Sequence, residues 1–272
     1  MNFVISDACT GCGLCARICS PAKIHMKDGR PVIDDDCMMC GHCYAVCPFD
    51  AISYDSSREE CFALKAPAKG LSEFVKAEDL LTAFWSRRSI RYFSNEPVSD
   101  EEVNYLIEAA HSSPTASNAQ NVRYIILQEK KKDYTIEMMK ALGEMGDELL
   151  RQGGLDPLME NYAKRWSGML MKYLSDGVDG LFFNAPLVVL FVGPHAVNAS
   201  ISAQQMSLMA EALGLGSCYI GFAKRAISYD PRLAAKLGIG DDEELVCAMA
   251  IGRPRVRFER IPARKPAQIT RL

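Results

Sequence analysis

Two stretches decide the N-terminal fold: Cys9-Thr-Gly-Cys-Gly-Leu-Cys-Ala-Arg-Ile-Cys19 and Cys37-Met-Met-Cys-Gly-His-Cys-Tyr-Ala-Val-Cys47. Each has the pattern C-x2-C-x2-C-x3-C, and the second copy begins 28 residues after the first (37 − 9). Eight of the 11 cysteines therefore form one internal repeat. Because the chain has 272 residues, this repeat accounts for a small module and leaves room for a larger domain.

The repeat favours metal ligation over disulfide bonding. Its N-terminal neighbour, Met1–Asp7, lacks the basic residues and apolar core of a signal peptide. We therefore expect a cytoplasmic protein whose thiols stay reduced. Zinc sites normally use two separate C-x2-C pairs. Three cysteines at successive spacings of three suit the corners of an iron–sulfur cube, with zinc or a three-iron cluster as the alternative.

The spacing predicts two [4Fe–4S] clusters with crossed ligands, because the fourth cysteine of each run binds the other cluster in two-cluster ferredoxins. The first cluster is expected on Cys9, Cys12, Cys15 and Cys47, and the second on Cys37, Cys40, Cys43 and Cys19. With these runs, residues 1–56 resemble a bacterial two-cluster ferredoxin. Pro48 follows the second run as in that family, whereas Cys19-Ser-Pro21 contains one inserted residue. Short strands are predicted at residues 2–5, 24–27, 30–33 and 51–54.

Charge and hydropathy exclude two broad classes of function. The 31 basic and 34 acidic residues give a net charge of −3, which argues against nucleic-acid binding. The longest apolar run, Ala185–Gly193, is too short to span a bilayer, so we expect no membrane association. Asp34–Asp36, beside the second cysteine run, are either a solvated surface or a docking face for a redox partner.

A connector separates the cysteine module from a second domain. Residues 57–79 contain Pro67 and Gly70 but no sustained periodicity, which predicts a linker between domains at 1–56 and 80–272. Cys61 lies in this linker, outside both ligand sets, and is expected to be a free structural thiol. Cys218 is expected to be a small apolar filler.

The second domain alternates helical and β patterns. Helices are predicted from about residue 80 and at 100–111, 130–176, 199–213 and 231–237, strands at 124–127, 185–192 and 245–251, and a glycine-rich turn at 214–221. Six methionines between Met138 and Met171 are unusual. They indicate either adaptable core packing or a mobile cover over a flat aromatic ligand.

Five motifs in this domain are weak alone and strong in combination. They are Arg-Arg-Ser-Ile-Arg at 87–91, Ser-Pro-Thr-Ala-Ser-Asn-Ala-Gln at 113–120, Asn184-Ala-Pro, Gly-Leu-Gly-Ser-Cys-Tyr-Ile-Gly at 214–221, and a basic tail from Gly252. In this order they resemble the nitroreductase family of FMN enzymes over residues 80–272. One departure is Asn121-Val122, where the family often has Pro-Trp. This departure bears on the shape of the substrate pocket more than on flavin binding.

The resemblance implies a set of FMN contacts. Its phosphate and ribityl contacts correspond to Arg87, Arg88, Ser89 and Arg91, and the basic pair that closes on the same phosphate corresponds to Arg264 and Lys265. A loop that reaches the flavin from the partner subunit corresponds to Thr115, Ala116 and Asn118, and the turn beside the isoalloxazine corresponds to Tyr219, Ile220 and Gly221. The family is an obligate homodimer, which we therefore expect here.

Both halves together predict an α+β fold, with a small ferredoxin-like module and a nitroreductase-type sandwich whose central antiparallel sheet is wrapped by helices. Electrons are expected to pass from a low-potential donor (a ferredoxin, flavodoxin or reductase) through two clusters to FMN. The expected acceptor is a nitroaromatic, quinone-like or other electron-poor small molecule. The alternatives are another chemistry on this scaffold, such as reductive dehalogenation or flavin-consuming chemistry, and a non-enzymatic relay or redox sensor. No catalytic side chain is assigned, because the flavin carries the reaction.

Overall fold

The computed structural model describes residues 3–54 and 70–272, and the chain divides into two compact units. The smaller unit comprises the described part of Met1–Lys69 together with Thr115–Gln120, and the larger comprises Gly70–Pro114 and Asn121–Leu272. Most of the predicted linker, including Cys61, lies outside the described residues. Its last part contains a 3-10 turn at Leu71–Glu73.

The smaller unit consists of two short helices and two two-stranded antiparallel sheets. Its elements are β1 (Phe3–Ile5), α1 (Leu14–Ile18), β2 (Ile24–Lys27), β3 (Arg30–Ile33), α2 (His42–Val46) and β4 (Ile52–Tyr54). Strand β1 pairs with β4, and β2 pairs with β3. Asp28 and Gly29 connect β2 and β3 with φ values of 49° and 77°, the left-handed geometry of a tight hairpin turn. The four predicted strands are therefore confirmed to within one residue.

The sequence repeat produces a repeat of structure in this unit. Helices α1 and α2 each have five residues and each follow a glycine, Gly13 or Gly41, with φ of 73° or 77°. Only glycine adopts this left-handed conformation without steric cost, which explains its presence before each helix. The third cysteine of each run, Cys15 or Cys43, lies in the following helix and is buried with Ile24 and Ile52. The cysteines therefore form much of the small hydrophobic core.

The larger unit contains a four-stranded antiparallel sheet. Its strands are β5 (Arg123–Leu127), β6 (Leu187–Gly193), β7 (Gly216–Tyr219) and β8 (Glu244–Gly252), in the order β5-β6-β8-β7. Every residue of β6 is buried. Because side chains alternate across a strand, Val188 and Leu190 enter one hydrophobic core, whereas Val189 and Phe191 enter another on the opposite face.

Helices cover both faces of this sheet. They are α3 (Ala77–Ser86), α4 (Asp100–His111), α5 (Lys131–Gln152), α6 (Pro157–Ser167), α7 (Met169–Asp176), α8 (Ala196–Ala212), α9 (Gly221–Tyr229) and α10 (Pro231–Lys236). Leu106 of α4 and Met206 of α8 belong to the core on one face, and Leu142 of α5 and Trp166 of α6 belong to the other. The predicted α+β sandwich is therefore confirmed. In the described parts of the chain, no helix combines the length and apolarity needed to cross a bilayer.

One sequence prediction in this unit needs revision, and one helix was missed. The glycine-rich segment 214–221 is not only a turn, because Gly216–Tyr219 forms β7 and pairs with β8. Gly216 lies so close to Ile90 that an added Cβ would come within 2.4 Å of its Cγ1, so this glycine serves close packing inside a strand. Helix α9 was not predicted.

The methionine-rich helices favour the core interpretation. Met138, Met139 and Met169 are buried, and Met145 and Met159 pack against the same core. Met171 alone among the six remains exposed, at 67%. Methionine is flexible and fills irregular gaps between helices, which accounts for its use here.

Candidate cofactor sites

The fold brings the first predicted cluster ligand set together. Cys9, Cys12, Cys15 and Cys47 line one small cavity, together with apolar groups that include Pro31. Cys47 belongs to the second sequence run, yet it faces the first three cysteines of the other run. The arrangement is the crossed one that the spacing predicts, and the residues fit a thiolate-ligated cluster. Ligation by these residues stays a prediction.

Three of the four cysteines predicted to bind the second cluster, Cys37, Cys40 and Cys43, lie near one another. Burial raises the pKa of the Cys43 thiol, and the nearby thiols of Cys37 and Cys40 raise it further. In the same way, burial raises the pKa of Cys15, with a further effect of Cys12 and Cys9. A bound metal would stabilise the thiolate form that burial disfavours.

Backbone groups support the fourth cysteine of each run. The N–H of Lys23 donates to Sγ of Cys19 at 3.3 Å, and the N–H of Ala51 donates to Sγ of Cys47 at 3.4 Å. Both donors lie four residues after their cysteine, so the repeat extends to the sulfur hydrogen bonds. Such bonds influence the reduction potential of a cluster. Within the described residues, no three ligand side chains surround a single metal ion. A cube places each thiolate on a different iron and does not require such a group.

The acidic segment beside the second run is partly neutralised. Asp36 forms an ion pair with Lys23 at 2.6 Å, and Asp34 lies 3.3 Å from Nε2 of His25. The amino group of Lys23 lowers the pKa of Asp36 through a hydrogen bond. These pairs favour the solvated-surface interpretation of Asp34–Asp36 over a dedicated docking face.

In the larger unit, two arginines have buried donors that lack partners. Nη1 of Arg87 and Nε of Arg88 are buried, and neither has a hydrogen-bond acceptor among the described residues. The segment is fixed just beyond, where the N–H of Ile90 donates to the carbonyl of Ser217 at 3.0 Å. A buried guanidinium N–H without an acceptor is costly, so these donors fit an anionic ligand such as a phosphate.

A half-buried carboxyl group of α8, that of Glu211, lies near these arginines and was not predicted from the sequence. Burial raises the pKa of Glu211, while the backbone N–H of Arg88 and the charges of Arg87 and Arg88 oppose this shift. Glu211 therefore helps to balance the positive charge around the site. No sequence pattern distinguishes it from the other acidic residues on helix surfaces.

The Tyr219–Gly221 segment borders an open cleft of about 560 Å³. Met145, Arg225 and Cys247 also line it. Burial raises the pKa of Cys247 to about 12, so this thiol is neutral at physiological pH. Helix α9 begins at Gly221, which lines the cleft, and the first backbone N–H groups of a helix have no acceptor within it. A flat ring with acceptor atoms on one edge fits such a combination of apolar wall and backbone donors.

Tyr219 is held at the mouth of this cleft. Its hydroxyl donates to Oε1 of Gln204 at 3.3 Å, and burial of the phenol raises its pKa to about 12. The neighbouring Cys218 is buried in the core, as expected for a small apolar filler, and burial raises the pKa of its thiol. Both side chains are therefore uncharged.

The structure does not bring together all the residues that the resemblance implies. Arg264 and Lys265 are exposed in the tail beyond β8. The guanidinium of Arg91 lies 5.8 Å from the ring centre of Phe183. Thr115, Ala116 and Asn118 belong to the smaller unit, where the amide of Asn118 binds backbone carbonyls of the second cysteine run.

The Asn184-Ala-Pro motif is held by a buried aspartate that sequence reasoning missed. Asp179 accepts hydrogen bonds from the N–H groups of Leu181, Phe182 and Asn184 at 2.8–3.0 Å. Phe183 and Asn184 have φ of 59° and 56°, so this turn before β6 is left-handed. An aspartate that precedes a turn is the only signal that could have indicated this role.

Comparison with known proteins finds two families. A model of the nitroreductase family matches residues 85–253, and a model of a 4Fe-4S dicluster domain matches residues 1–48. These matches confirm the sequence resemblance on both sides of the linker.

The chain is also similar to individual proteins. It is 30% identical to an FMN reductase [NAD(P)H] of Bacillus subtilis over 53% of this chain and 54% of that protein. It is 20% identical to iodotyrosine deiodinase 1 of Rattus norvegicus over 66% of this chain and 64% of that protein. The chain thus spans less than two thirds of either relative. A solved structure of a nitroreductase with bound FMN from Bacteroides fragilis has the same fold, with a TM-score of 0.56 and 16% identity over 71% of this chain and 98% of that chain.

Proposed function

The chain belongs to the nitroreductase family, and we propose that it is an iron–sulfur flavoprotein oxidoreductase with FMN and two [4Fe–4S] clusters. The observation that carries the flavin assignment is the pair of buried, unpartnered donors on Arg87 and Arg88. A dianionic phosphate would accept from both and would compensate their buried charge. When bound, FMN would supply the two-electron chemistry of the reaction.

The remaining flavin contacts follow from the family. Ser89 and Arg91 continue the arginine segment toward the ribityl chain, and Arg264 and Lys265 are proposed to close on the phosphate from the exposed tail. Tyr219, Ile220 and Gly221 are proposed to line the ring edge, with backbone N–H groups near its reactive nitrogen. These residues bind and orient, and the apolar walls of the cleft exclude water from the ring.

A homodimer is part of the proposal. Several large apolar side chains of the larger unit are exposed in the single chain: Phe84, Trp85, Tyr105 and Phe258. Exposed apolar groups of this size are typical of surfaces that a partner covers. A second copy would also bring its Thr115, Ala116 and Asn118 loop to the flavin.

The iron–sulfur module is proposed to be the electron inlet. Two clusters can hold two electrons, the number that reduces FMN completely. The proposed donor is a low-potential carrier such as a ferredoxin, flavodoxin or reductase, and the proposed acceptor is a nitroaromatic, quinone-like or other electron-poor small molecule. A reducing compartment keeps eight cysteines available for iron, so the cytoplasm is the proposed location.

A second candidate function is reductive dehalogenation. It is favoured by the similarity to iodotyrosine deiodinase 1 of Rattus norvegicus, in which the matched region covers 64% of the protein. The cleft beside Tyr219 would then accept a halogenated aromatic ring. Release of halide by the reduced protein separates this candidate from nitro or quinone reduction.

The proposed function is tested with anaerobically purified protein whose iron, sulfide and FMN are quantified. We expect eight iron atoms and one FMN per chain, because two cubes carry four irons each. The rate of acceptor reduction is then measured with reduced ferredoxin, NADH and NADPH as donors, and with a small chemical reductant that reaches the flavin directly.

The parent is compared with a full-length Cys12→Ala/Cys40→Ala variant, which lacks one proposed ligand of each cluster. This variant should lose ferredoxin-driven turnover and keep turnover with the chemical reductant. If the variant accepts electrons from ferredoxin as fast as the parent, the clusters are not the inlet. If the parent shows no multiple turnovers with any acceptor, the non-enzymatic relay becomes the better explanation.

A further inference from the structure

The side-chain amide of Asn118 is bound to the second cysteine run. Its Nδ2 donates to the carbonyl of Met38 at 3.1 Å and to the carbonyl of Met39 at 3.0 Å. These two residues lie between Cys37 and Cys40, which are proposed ligands of the second cluster. A primary amide has two N–H donors, so this geometry uses one for each carbonyl.

The first run is supported differently at the equivalent place. Gly11 occupies the repeat position of Met39, and both are left-handed, with φ of 69° and 53°. A Cβ on Gly11 would lie 2.2 Å from the carbonyl oxygen of Gly29, so the β2–β3 turn packs directly against the first run. Met39 has a side chain, and the amide of Asn118 supports its backbone instead. The two cluster loops are therefore alike in sequence and different in what holds them.

The segment that carries Asn118 has a defined and costly conformation. Ser117, Asn118 and Gln120 have φ of 51°, 53° and 47°, and each is left-handed without being glycine. The N–H of Gln120 donates to Oγ1 of Thr115 at 3.0 Å and closes the loop. Non-glycine residues in this region persist only where their surroundings hold them, and they are concentrated at functional sites.

We propose that Asn118 is a positioning residue for the second cluster, which acts through the carbonyls of Met38 and Met39 on the loop between Cys37 and Cys40. This proposal rests on the proposed function, since it requires that the second cluster is present. By fixing these carbonyl dipoles, the amide sets the field at the cluster and closes the loop around it. Hydrogen bonding and solvent access are among the factors that determine cluster potentials.

The test uses two variants of the full-length holoprotein, Asn118→Leu and Asn118→Ala. Leucine keeps a similar volume and removes both donors, whereas alanine also removes the volume. Ser117→Ala is the matched control, because Ser117 is an exposed residue of the same loop. Redox titration by electron paramagnetic resonance gives a midpoint potential for each cluster, assigned through Cys19→Ala and Cys47→Ala. Iron loss to a chelator is followed in parallel, and FMN affinity is measured by fluorescence.

In both Asn118 variants, the second cluster should show a shifted midpoint potential. It should also lose iron about five- to thirtyfold faster, the factor that corresponds to the loss of about 1–2 kcal/mol of hydrogen bonding. The first cluster and the Ser117→Ala variant should match the parent. FMN affinity is measured only to separate a flavin effect from the cluster effect, because Asn118 is also a proposed flavin contact. Parent behaviour of both clusters in Asn118→Leu overturns the proposal, whether or not FMN binding weakens. A parent protein that holds fewer than two clusters contradicts the proposed function itself, which separates the two failures.

Discussion

The two cofactor regions are assembled in opposite ways. All eight proposed cluster ligands lie within residues 9–47, and two copies of one short pattern supply them. The proposed flavin contacts of the larger unit come from segments as distant as Arg87 and Arg264. The first region therefore depends on local spacing, and the second depends on the sheet and helices that bring distant segments together.

This difference predicts different responses to mutation. A substitution of one cysteine in the cluster region removes one of only four proposed ligands, and we expect no other side chain to replace it. A change in the flavin region removes one contact among several, and the remaining contacts still bind. Substitutions should therefore cause loss in the first region and graded weakening in the second.

The largest effect is expected from the crossed cysteines. Cys19→Ala should abolish or degrade the cluster proposed on Cys37, Cys40 and Cys43, because Cys19 is the proposed fourth ligand of that cluster. Cys47→Ala should damage the cluster on the opposite run, consistent with the cavity that Cys47 shares with Cys9 and Cys15. Electron paramagnetic resonance and iron quantification of each variant measure the loss.

Cys247→Ala is the control for this comparison, since Cys247 lies in the larger unit and outside both sets. It should retain full iron content. If Cys19→Ala loses the cluster of its own run and keeps the other, the ligation is not crossed, and each run would be a self-contained site.

An intermediate effect is expected from the arginine pair. Arg87→Ala and Arg88→Ala should each weaken FMN binding by about ten- to a hundredfold, because each removes a charge-assisted hydrogen bond of about 1.5–3 kcal/mol. Fluorescence titration of the apoprotein with FMN gives the Kd. Arg264→Ala applies the same measurement to the exposed tail.

Arg257→Ala is a suitable control, since its side chain is 87% exposed and pairs only loosely with Glu259, at 3.6 Å. FMN should bind to it as to the parent. Unchanged FMN affinity in both Arg87→Ala and Arg88→Ala would place the phosphate elsewhere. The expected graded weakening of FMN binding would then be unsupported.

The smallest effect, a modest loss of stability, is expected from removing the N-terminal cap of α4 in the larger unit. Ser99 and Glu102 form a capping box at the start of α4, with the N–H of Ser99 donating to Glu102 at 2.9 Å. Arg253 also binds this carboxylate, at 2.8 Å. Glu102→Gln should lower stability by about 1 kcal/mol, or a few degrees in Tm.

The effect should depend on pH in one direction. The hydrogen bond from the Ser99 backbone, helped by Arg253, lowers the pKa of Glu102 below its usual range. A carboxyl group with a lowered folded-state pKa stabilises the protein above its ordinary pKa and loses this contribution as the pH falls through the folded value. The Tm difference between parent and Glu102→Gln should therefore be full at neutral pH and shrink in acid. Glu101→Gln, one residue earlier and exposed, should show little difference at any pH.

Sequence reasoning succeeded where neighbours in space are also neighbours in the chain. The β2–β3 hairpin follows from the Asp28-Gly29 turn signal, and the helix predicted at 100–111 coincides with α4. The core strand β6 could be recognised because it is apolar throughout. Strand β7 could not, since its four residues contain a glycine whose role is contact with distant Ile90.

Two features of the candidate sites could not be predicted from local sequence patterns. The position of Cys47 beside the first run followed from knowledge of crossed ligation, not from periodicity. The link from Asn118 to Met38 spans 80 residues, and no repeat or spacing encodes it. Long-range polar contacts of this kind depend on backbone conformation, which the sequence does not display directly.

The smaller unit is discontinuous in the chain, and this affects how it is made. Its last described strand ends at Tyr54, whereas the segment that carries Asn118 begins at Thr115, 61 residues later (115 − 54). At a translation rate of about 5–20 residues per second, the ribosome needs about 3–12 s to cover this interval. During that time the carbonyls of Met38 and Met39 lack their amide partner, so we expect the loop between Cys37 and Cys40 to be more accessible to iron than in the finished protein. A translational pause before Thr115 should extend the period in which this loop can be loaded.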